Sequence, residues 1–242
     1  MAMINLTIDG KKYQAEEGQT VLEVAHRHGI FIPTLCVDEA VSAYGACRLC
    51  MVEIDRKGRK KLVASCLYQV EEGLVVTTQN DRITNIRKTV IELLLARCPQ
   101  SEGVQTMAKK LGVNGTRFES EKPENLCTLC ALCTRVCSEV VGKSAISLVS
   151  RGTGREVALP YYEDKTDCIA CGSCAYICPT GAIKMKDGNG VRTITWPNCE
   201  VSFKLRRCAK CGAEWIPEKQ IKHILNTTEV PEDFFNICPD CR

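Results

Sequence analysis

Cys127, Cys130, Cys133 and Cys137 are spaced C-x2-C-x2-C-x3-C, and Cys168, Cys171, Cys174 and Cys178 repeat that spacing, with Pro179 after the last. Thiolates at these intervals let one loop wrap three corners of a 4Fe–4S cube, a centre that carries electrons singly. Two more sets are of metal size: Cys36, Cys47, Cys50 and Cys66 precede the doubled run, and the pairs Cys208-x2-Cys211 and Cys238-x2-Cys241 follow it. Of the 18 cysteines, Cys98 and Cys199 are left over. The implied chemistry is electron conduction rather than bond making. The sequence contains no G-x-G-x-x-G phosphate loop, so neither a nicotinamide nor a flavin nucleotide has an evident home.

The last two pairs make a four-thiolate tetrahedral site, suited to structural zinc or to a single rubredoxin-type iron. Spacing does not separate the two metals. Zinc is favoured because zinc ribbons are the commoner use; zinc would make the tail a staple or docking element, whereas iron would extend the conducting path. Cys98 and Cys199 are expected as free thiols, the second of them packed. His26 and His28 lie beside the first set, but four cysteines already complete it, so exposed or packing roles are expected for both.

The elements that must carry these residues are small. At 242 residues with 5% aromatics, the chain reads as several small domains rather than one large core, and metal sites stabilise domains of that size. A secreted disulfide scaffold would also be rich in cysteine, but Met1-Ala2-Met3-Ile4-Asn5 has neither a basic nor an apolar leader segment. A reducing, cytoplasmic setting is expected. No stretch approaches the roughly 18 apolar residues of a membrane span. The net charge is +3 with acids and bases mixed. Arg56-Lys57-Gly58-Arg59-Lys60-Lys61 reads as a solvated hairpin turn that could help steer an acidic partner; nucleic acid is not an expected partner.

Residues 4–8 alternate with period two, and Asp9-Gly10 turns them into Lys11–Ala15, an opening hairpin. Thr20 caps a short helix from Val21 that ends at Gly29. Strands are expected over Cys50–Asp55, Lys61–Ser65 and Leu74–Thr78. Ile83, Ile86, Val90, Leu93 and Leu94 recur at helical spacing and predict a helix over residues 80–97, followed by a second over Val104–Leu111.

A hairpin, a helix and further strands, with cysteines in the loop after the helix, resemble a β-grasp ferredoxin. The spacing Cys36-x10-Cys47-x2-Cys50-x15-Cys66 departs from the plant type. It is similar instead to the N-terminal 2Fe–2S module of the large peripheral subunit of respiratory complex I, of the diaphorase subunits of NAD-reducing hydrogenases, and of iron-only hydrogenases. Gly45-Ala46-Cys47-Arg48-Leu49-Cys50 carries the resemblance most closely. The doubled run resembles a two-cluster bacterial ferredoxin, in which the fourth cysteine of each run ligates the other cluster. That resemblance implies one 4Fe–4S cluster on Cys127, Cys130, Cys133 and Cys178, and a second on Cys168, Cys171, Cys174 and Cys137. The halves are about thirty residues apart, an expanded linker that again fits complex I and the hydrogenases. In one place the chain departs from the family. Where a cluster with one histidine and three cysteines is expected, Cys98-Pro99-Gln100-Ser101-Glu102-Gly103 offers one cysteine and no histidine, so that cluster is expected to be absent.

The expected fold class is therefore α+β: a β-grasp 2Fe–2S domain (residues 1–79), a helical connector (80–120), a ferredoxin-like domain with two 4Fe–4S clusters (121–190) and a four-cysteine zinc-ribbon or rubredoxin-like tail (191–242). The resemblance implies an iron–sulfur electron-transfer subunit of a soluble, NAD(P)-linked, flavin-containing complex of the hydrogenase, formate dehydrogenase or transhydrogenase type, some members of which bifurcate electrons. Its implied partners are a flavoprotein subunit that oxidises NAD(P)H and a further redox subunit or ferredoxin. The chain itself is not expected to oxidise NADH. A free-standing polyferredoxin is the alternative, disfavoured by the near-neutral charge; a redox or iron sensor is a more distant one.

Overall fold

The computed structural model describes residues 2–160 and 166–242, which fall into two compact units, Met1–Ala131 and Leu132–Arg242. In the first unit, strands β1 (Met3–Ile8) and β2 (Lys11–Glu16) form the opening hairpin. Three later strands, β3 (Met51–Arg56), β4 (Arg59–Ala64) and β5 (Leu74–Thr77), complete a mixed five-stranded sheet in the order β2-β1-β5-β3-β4. Within it β1 runs parallel to β5, and β3 is antiparallel to both β4 and β5. The basic hexapeptide spans the β3–β4 turn, whose two turn residues, Lys57 and Gly58, are both at positive φ.

Strand alternation sends Leu6 and Ile8, Val52 and Ile54, and Leu74 and Val76 into one core. Helix α1 (Val21–Arg27) covers it with Val21, Leu22, Val24 and Ala25. Its start is fixed by a capping box: Glu23 N–H donates to Thr20 Oγ1, and Thr20 N–H donates to the Glu23 carboxylate. Helix α2 (Asp81–Arg97), N-capped by Asn80, and helix α3 (Glu102–Lys110), N-capped by Ser101, follow.

The buried side of α2 is not the whole of its apolar set. Ile83, Arg87 and Ile91, four residues apart, are the buried stripe, while Leu93 is 49% exposed and Ile86 and Val90 are half-buried. An arginine replaces an apolar residue at the centre of the packed face, for a reason given below.

The second unit opens with helix α4 (Leu132–Arg135), which passes directly into a π-helical turn, Val136–Val140. A short hairpin of β6 (Ser147–Val149) and β7 (Glu156–Ala158) occupies the long linker between the cysteine runs. After helix α5 (Ser173–Tyr176), strands β8 (Lys184–Gly188), β9 (Val191–Trp196), β10 (Cys199–Arg207) and β11 (Glu214–Pro217) form an antiparallel sheet. Helix α6 (Glu218–Thr227) buries Ile221 against Ile216 and Phe235. Among the described residues no helix is long and apolar enough to cross a membrane.

Candidate metal centres

Cys36, Cys47, Cys50 and Cys66 lie at one end of the first unit's core, all buried. Cys36 comes from the loop after α1, Cys47 and Cys50 from the turn entering β3, and Cys66 from the turn leaving β4. Their sulfurs form two close pairs, Cys36–Cys47 and Cys50–Cys66, each at 3.4 Å. Such pairs cannot all be thiolates without a compensating cation. The bond from Cys66 draws Cys50 down to about 6, whereas the bonds to Cys36 and Cys50 hold Cys47 and Cys66, respectively, far above the usual thiol range. Four buried sulfurs this close together need a cation to be thiolates at once, so the donor set fits a cationic cluster.

The surrounding backbone is shaped for anionic sulfur. Arg48, between two of the cysteines, sits at φ 58°, and the Cys47 N–H donates to Cys36 Sγ at 3.4 Å. Successive amides turned inward by a left-handed residue make an anion-binding concavity. Gly45 is also left-handed, and a Cβ there would come within 2.6 Å of Leu67 Cδ1. Arg87 holds the turn from behind: its Nε donates to Leu49 O at 3.1 Å and its Nη2 to Met51 O at 2.8 Å. The sequence signal for this residue was available, since an arginine spaced four residues from both Ile83 and Ile91 breaks an otherwise apolar stripe.

The two ferredoxin-type runs share more than spacing. Leu129 and Ala131 are left-handed in the first, at φ 56° and 62°, and Ala170 and Gly172 in the second, at 57° and 82°. These are equivalent positions, each residue flanking the middle cysteine of its run. In the second loop this conformation lets Ala170 N–H donate to Cys168 Sγ at 3.4 Å. At Gly172 a side chain would also meet the Met185 sulfur.

Cys137 stands on the π-helical turn, a local widening that often marks a functional position. Its sulfur accepts from Ala145 N–H at 3.3 Å. Cys137, Cys168, Cys171 and Cys174 line one cavity in the second unit together with Ile146, Ile194 and Trp196. Burial in this apolar pocket pushes the Cys168 thiol up to about 11 and the Cys174 thiol up to about 12. Cys171 pairs with Ser173 Oγ at 3.4 Å and Cys178 with Thr180 Oγ1 at 3.6 Å. Cys127 and Cys130 belong to the first unit, and Cys133 to the second.

Cys127 is held by residues outside the motif. Arg97 Nε donates to its carbonyl at 3.0 Å, and Asn125 brackets it, accepting from its N–H at 3.0 Å and donating to its carbonyl at 3.2 Å. The Asn125 amide also reaches Arg97 O at 2.9 Å and Cys98 Sγ at 3.6 Å. Cys98 is fully buried, and burial raises its thiol to about 12. Burial likewise raises Cys199. His28 packs its ring on Tyr13, with centroids 4.6 Å apart.

In the tail, Cys208, Cys211, Cys238 and Cys241 bring one sulfur each within 4.8 Å of all the others. Cys238 N–H donates to Cys208 Sγ at 3.3 Å. Amides of Cys238, Cys211 and Lys210 draw Cys208 down to about 6, while the hydrogen bond with Cys211 sends Cys241 up to about 12. These four residues could hold one tetrahedral metal ion.

Residues 1–81 match the family of 2Fe-2S iron-sulfur cluster binding domains, and residues 161–184 match 4Fe-4S binding domains. The chain is 33% identical over 213 residues to the NADP-reducing hydrogenase subunit HndD of Solidesulfovibrio fructosivorans, covering 76% of this chain and 36% of that protein. It is 34% identical over 209 residues to the NADPH-Fe(3+) oxidoreductase subunit alpha of Geobacter sulfurreducens, covering 76% of this chain and 24% of that one. The chain thus spans about a quarter to a third of the length of these relatives. A solved NAD+-reducing nickel–iron hydrogenase in its H2-reduced state aligns with a TM-score of 0.58 at 30% identity, over 65% of this chain and 75% of that chain. Both the sulfur geometry and the likeness point the same way: the chain belongs to the iron–sulfur family that unites the large peripheral subunit of respiratory complex I with its counterparts in NAD(P)-linked hydrogenases.

Proposed function

We propose that this chain relays single electrons, as the iron–sulfur subunit of an NAD(P)-linked, flavin-containing complex, between a partner's flavin site and a further redox subunit or a ferredoxin. The observation that carries the reading is the presence in one polypeptide of two differently built sulfur sites, the paired sulfurs of the first unit and the four-cysteine cavity of the second. Cys36, Cys47, Cys50 and Cys66 would hold a 2Fe–2S cluster within a β-grasp domain. Cys168, Cys171, Cys174 and Cys137 would hold one 4Fe–4S cluster, and Cys127, Cys130, Cys133 and Cys178 another. Cys208, Cys211, Cys238 and Cys241 would hold zinc, with a single iron as the alternative. When bound, the clusters supply reversible one-electron redox chemistry. The chain's own residues supply amide donors to sulfur, apolar walls that exclude water, and the charge of Arg87 behind the first site.

The names of the relatives support NADPH or NADP as the distal nucleotide of the assembly, and hydrogenase or metal-reducing chemistry at its other end. Anaerobic purification from the native host tests the proposal. One 2Fe–2S and two 4Fe–4S EPR signals, one zinc per chain and a co-purifying flavoprotein are expected, with no NADH oxidation by the isolated chain. A chain that elutes alone with all clusters intact would favour the free polyferredoxin instead.

A further inference from the structure

Strand β9 presents every second side chain to the loop of the second ferredoxin-type run. Arg192 Nη1 donates to Ala170 O at 3.1 Å, while Ile194 and Trp196 line the cavity that holds Cys137, Cys168, Cys171 and Cys174. Ile194 is fully buried and Trp196 is 2% exposed. The indole Nε1 of Trp196 nevertheless has no hydrogen-bond partner. A buried indole N–H normally finds one, because an unmade bond leaves its desolvation uncompensated. The cavity that its ring lines offers the four cysteines as acceptors.

We propose that Trp196 donates its indole N–H to the sulfur shell of the 4Fe–4S centre in this cavity and so raises that centre's reduction potential above what its ligands alone would give. The inference rests on the ligand set of the preceding section and adds a residue from outside it. The electrostatics fix the sign. One-electron reduction adds one negative charge to the centre, the electron coming from a neighbouring centre or from a reductant such as dithionite, and no proton moves. An N–H dipole aimed at sulfur stabilises the more negative state more strongly, so it favours reduction. The fixed strand costs nothing to reorganise when the electron arrives. Trp196 acts through the sulfurs and is a tuning residue, not a ligand.

The test is an anaerobic potentiometric titration of the full chain, monitored by EPR, comparing wild type with Trp196→Phe, which keeps an aromatic ring and removes the donor. The potential of one 4Fe–4S centre is expected to fall by an amount equivalent to a several-fold loss of reduced fraction at fixed potential, tenfold being 59 mV for one electron. The other 4Fe–4S centre and the 2Fe–2S centre should stay unmoved. A second measurement does not depend on the Trp196 variant folding. The chain has 2 tryptophans, so indole-15N labelling of a Trp215→Phe background leaves Trp196 as the only labelled ring, and pulsed EPR of the reduced centre should show a 15N coupling. Unchanged potentials with intact iron content, or no 15N coupling, would overturn the role of Trp196 alone. Absence of a second 4Fe–4S signal in the wild type would overturn the ligand set, and the inference with it.

Discussion

Replacing Arg87 with methionine isolates what holds the first cysteine loop. Arg87 is 7% exposed and spends both of its bonded guanidinium nitrogens on the carbonyls of Leu49 and Met51, which flank Cys50. Burial lowers its pKa from the usual arginine value, so the site pays a desolvation cost that these bonds and the nearby Asp9 charge offset. Hydrogen bonds from a charged donor contribute about 1.5–3 kcal/mol each, and removing the donor leaves two carbonyls short of a partner. Methionine keeps most of the apolar stem and avoids the lost desolvation cost, so the net loss expected is about 3 kcal/mol. For a unit of this size that is a fall of about 10–15 °C in the midpoint, read anaerobically as loss of the 2Fe–2S visible circular dichroism on heating. Arg87→Lys, which can reach one carbonyl but not both, should fall between. Lys88→Met removes the same charge from the exposed neighbouring position and should change stability by no more than about 0.5 kcal/mol. If Arg87→Met and Lys88→Met melt together, the two bonds do not hold the loop.

Three further outcomes follow from the geometry. Gly172→Ala forces an L side chain into φ +82° against the Met185 sulfur, at about 1–2 kcal/mol for the backbone alone; iron and sulfide analysis should show preferential loss of one 4Fe–4S cluster. Asn125→Ala removes the bracket around Cys127 and its bonds to Arg97 and Cys98; the 4Fe–4S centre of the first run should bleach several-fold faster in air, whereas equal bleaching rates would show that Arg97 suffices. Glu218 is held below the usual carboxylate range chiefly by its hydrogen bonds from Arg206. A depressed folded pKa contributes stability above the unfolded value of about 4.3 that is lost as pH falls through the folded value. The gap in stability between wild type and Glu218→Gln, followed by Trp215 fluorescence, should therefore close on acidification.

What could be read in the sequence, and what could not, divides along a physical line. Local rules sufficed for the opening hairpin, the Thr20 cap and helix α2, because alternation, capping and periodicity act over a few residues. Cysteine spacing reached further, since a metal centre imposes its own intervals on the chain. Periodicity marked α2 as a helix without naming its buried face: Leu93 is exposed, and the Leu49 and Met51 carbonyls require a donor and so draw Arg87 inward. Trp196 carries no local signature, and Asn125 only the short turn in which it accepts from Cys127 N–H. Each matters through a partner brought near by folding, Asn125 through Cys98 at 27 residues' separation and Trp196 through cysteines of an earlier loop.

The left-handed residues sharpen this division. Arg48, Leu129, Ala131 and Ala170 each carry a side chain in a conformation that costs about 1–2 kcal/mol, and all four lie beside cysteines. What the conformation does provide is amides turned toward sulfur, as at Cys47 and Ala170. Such amides are of use only to a sulfur bearing negative charge, which a thiol in an apolar pocket does not. Strained backbone and inward-facing donors are thus consequences of one cause: loops shaped for thiolate ligands around a cationic core, whose insertion and the ordering of the loops are a single thermodynamic step.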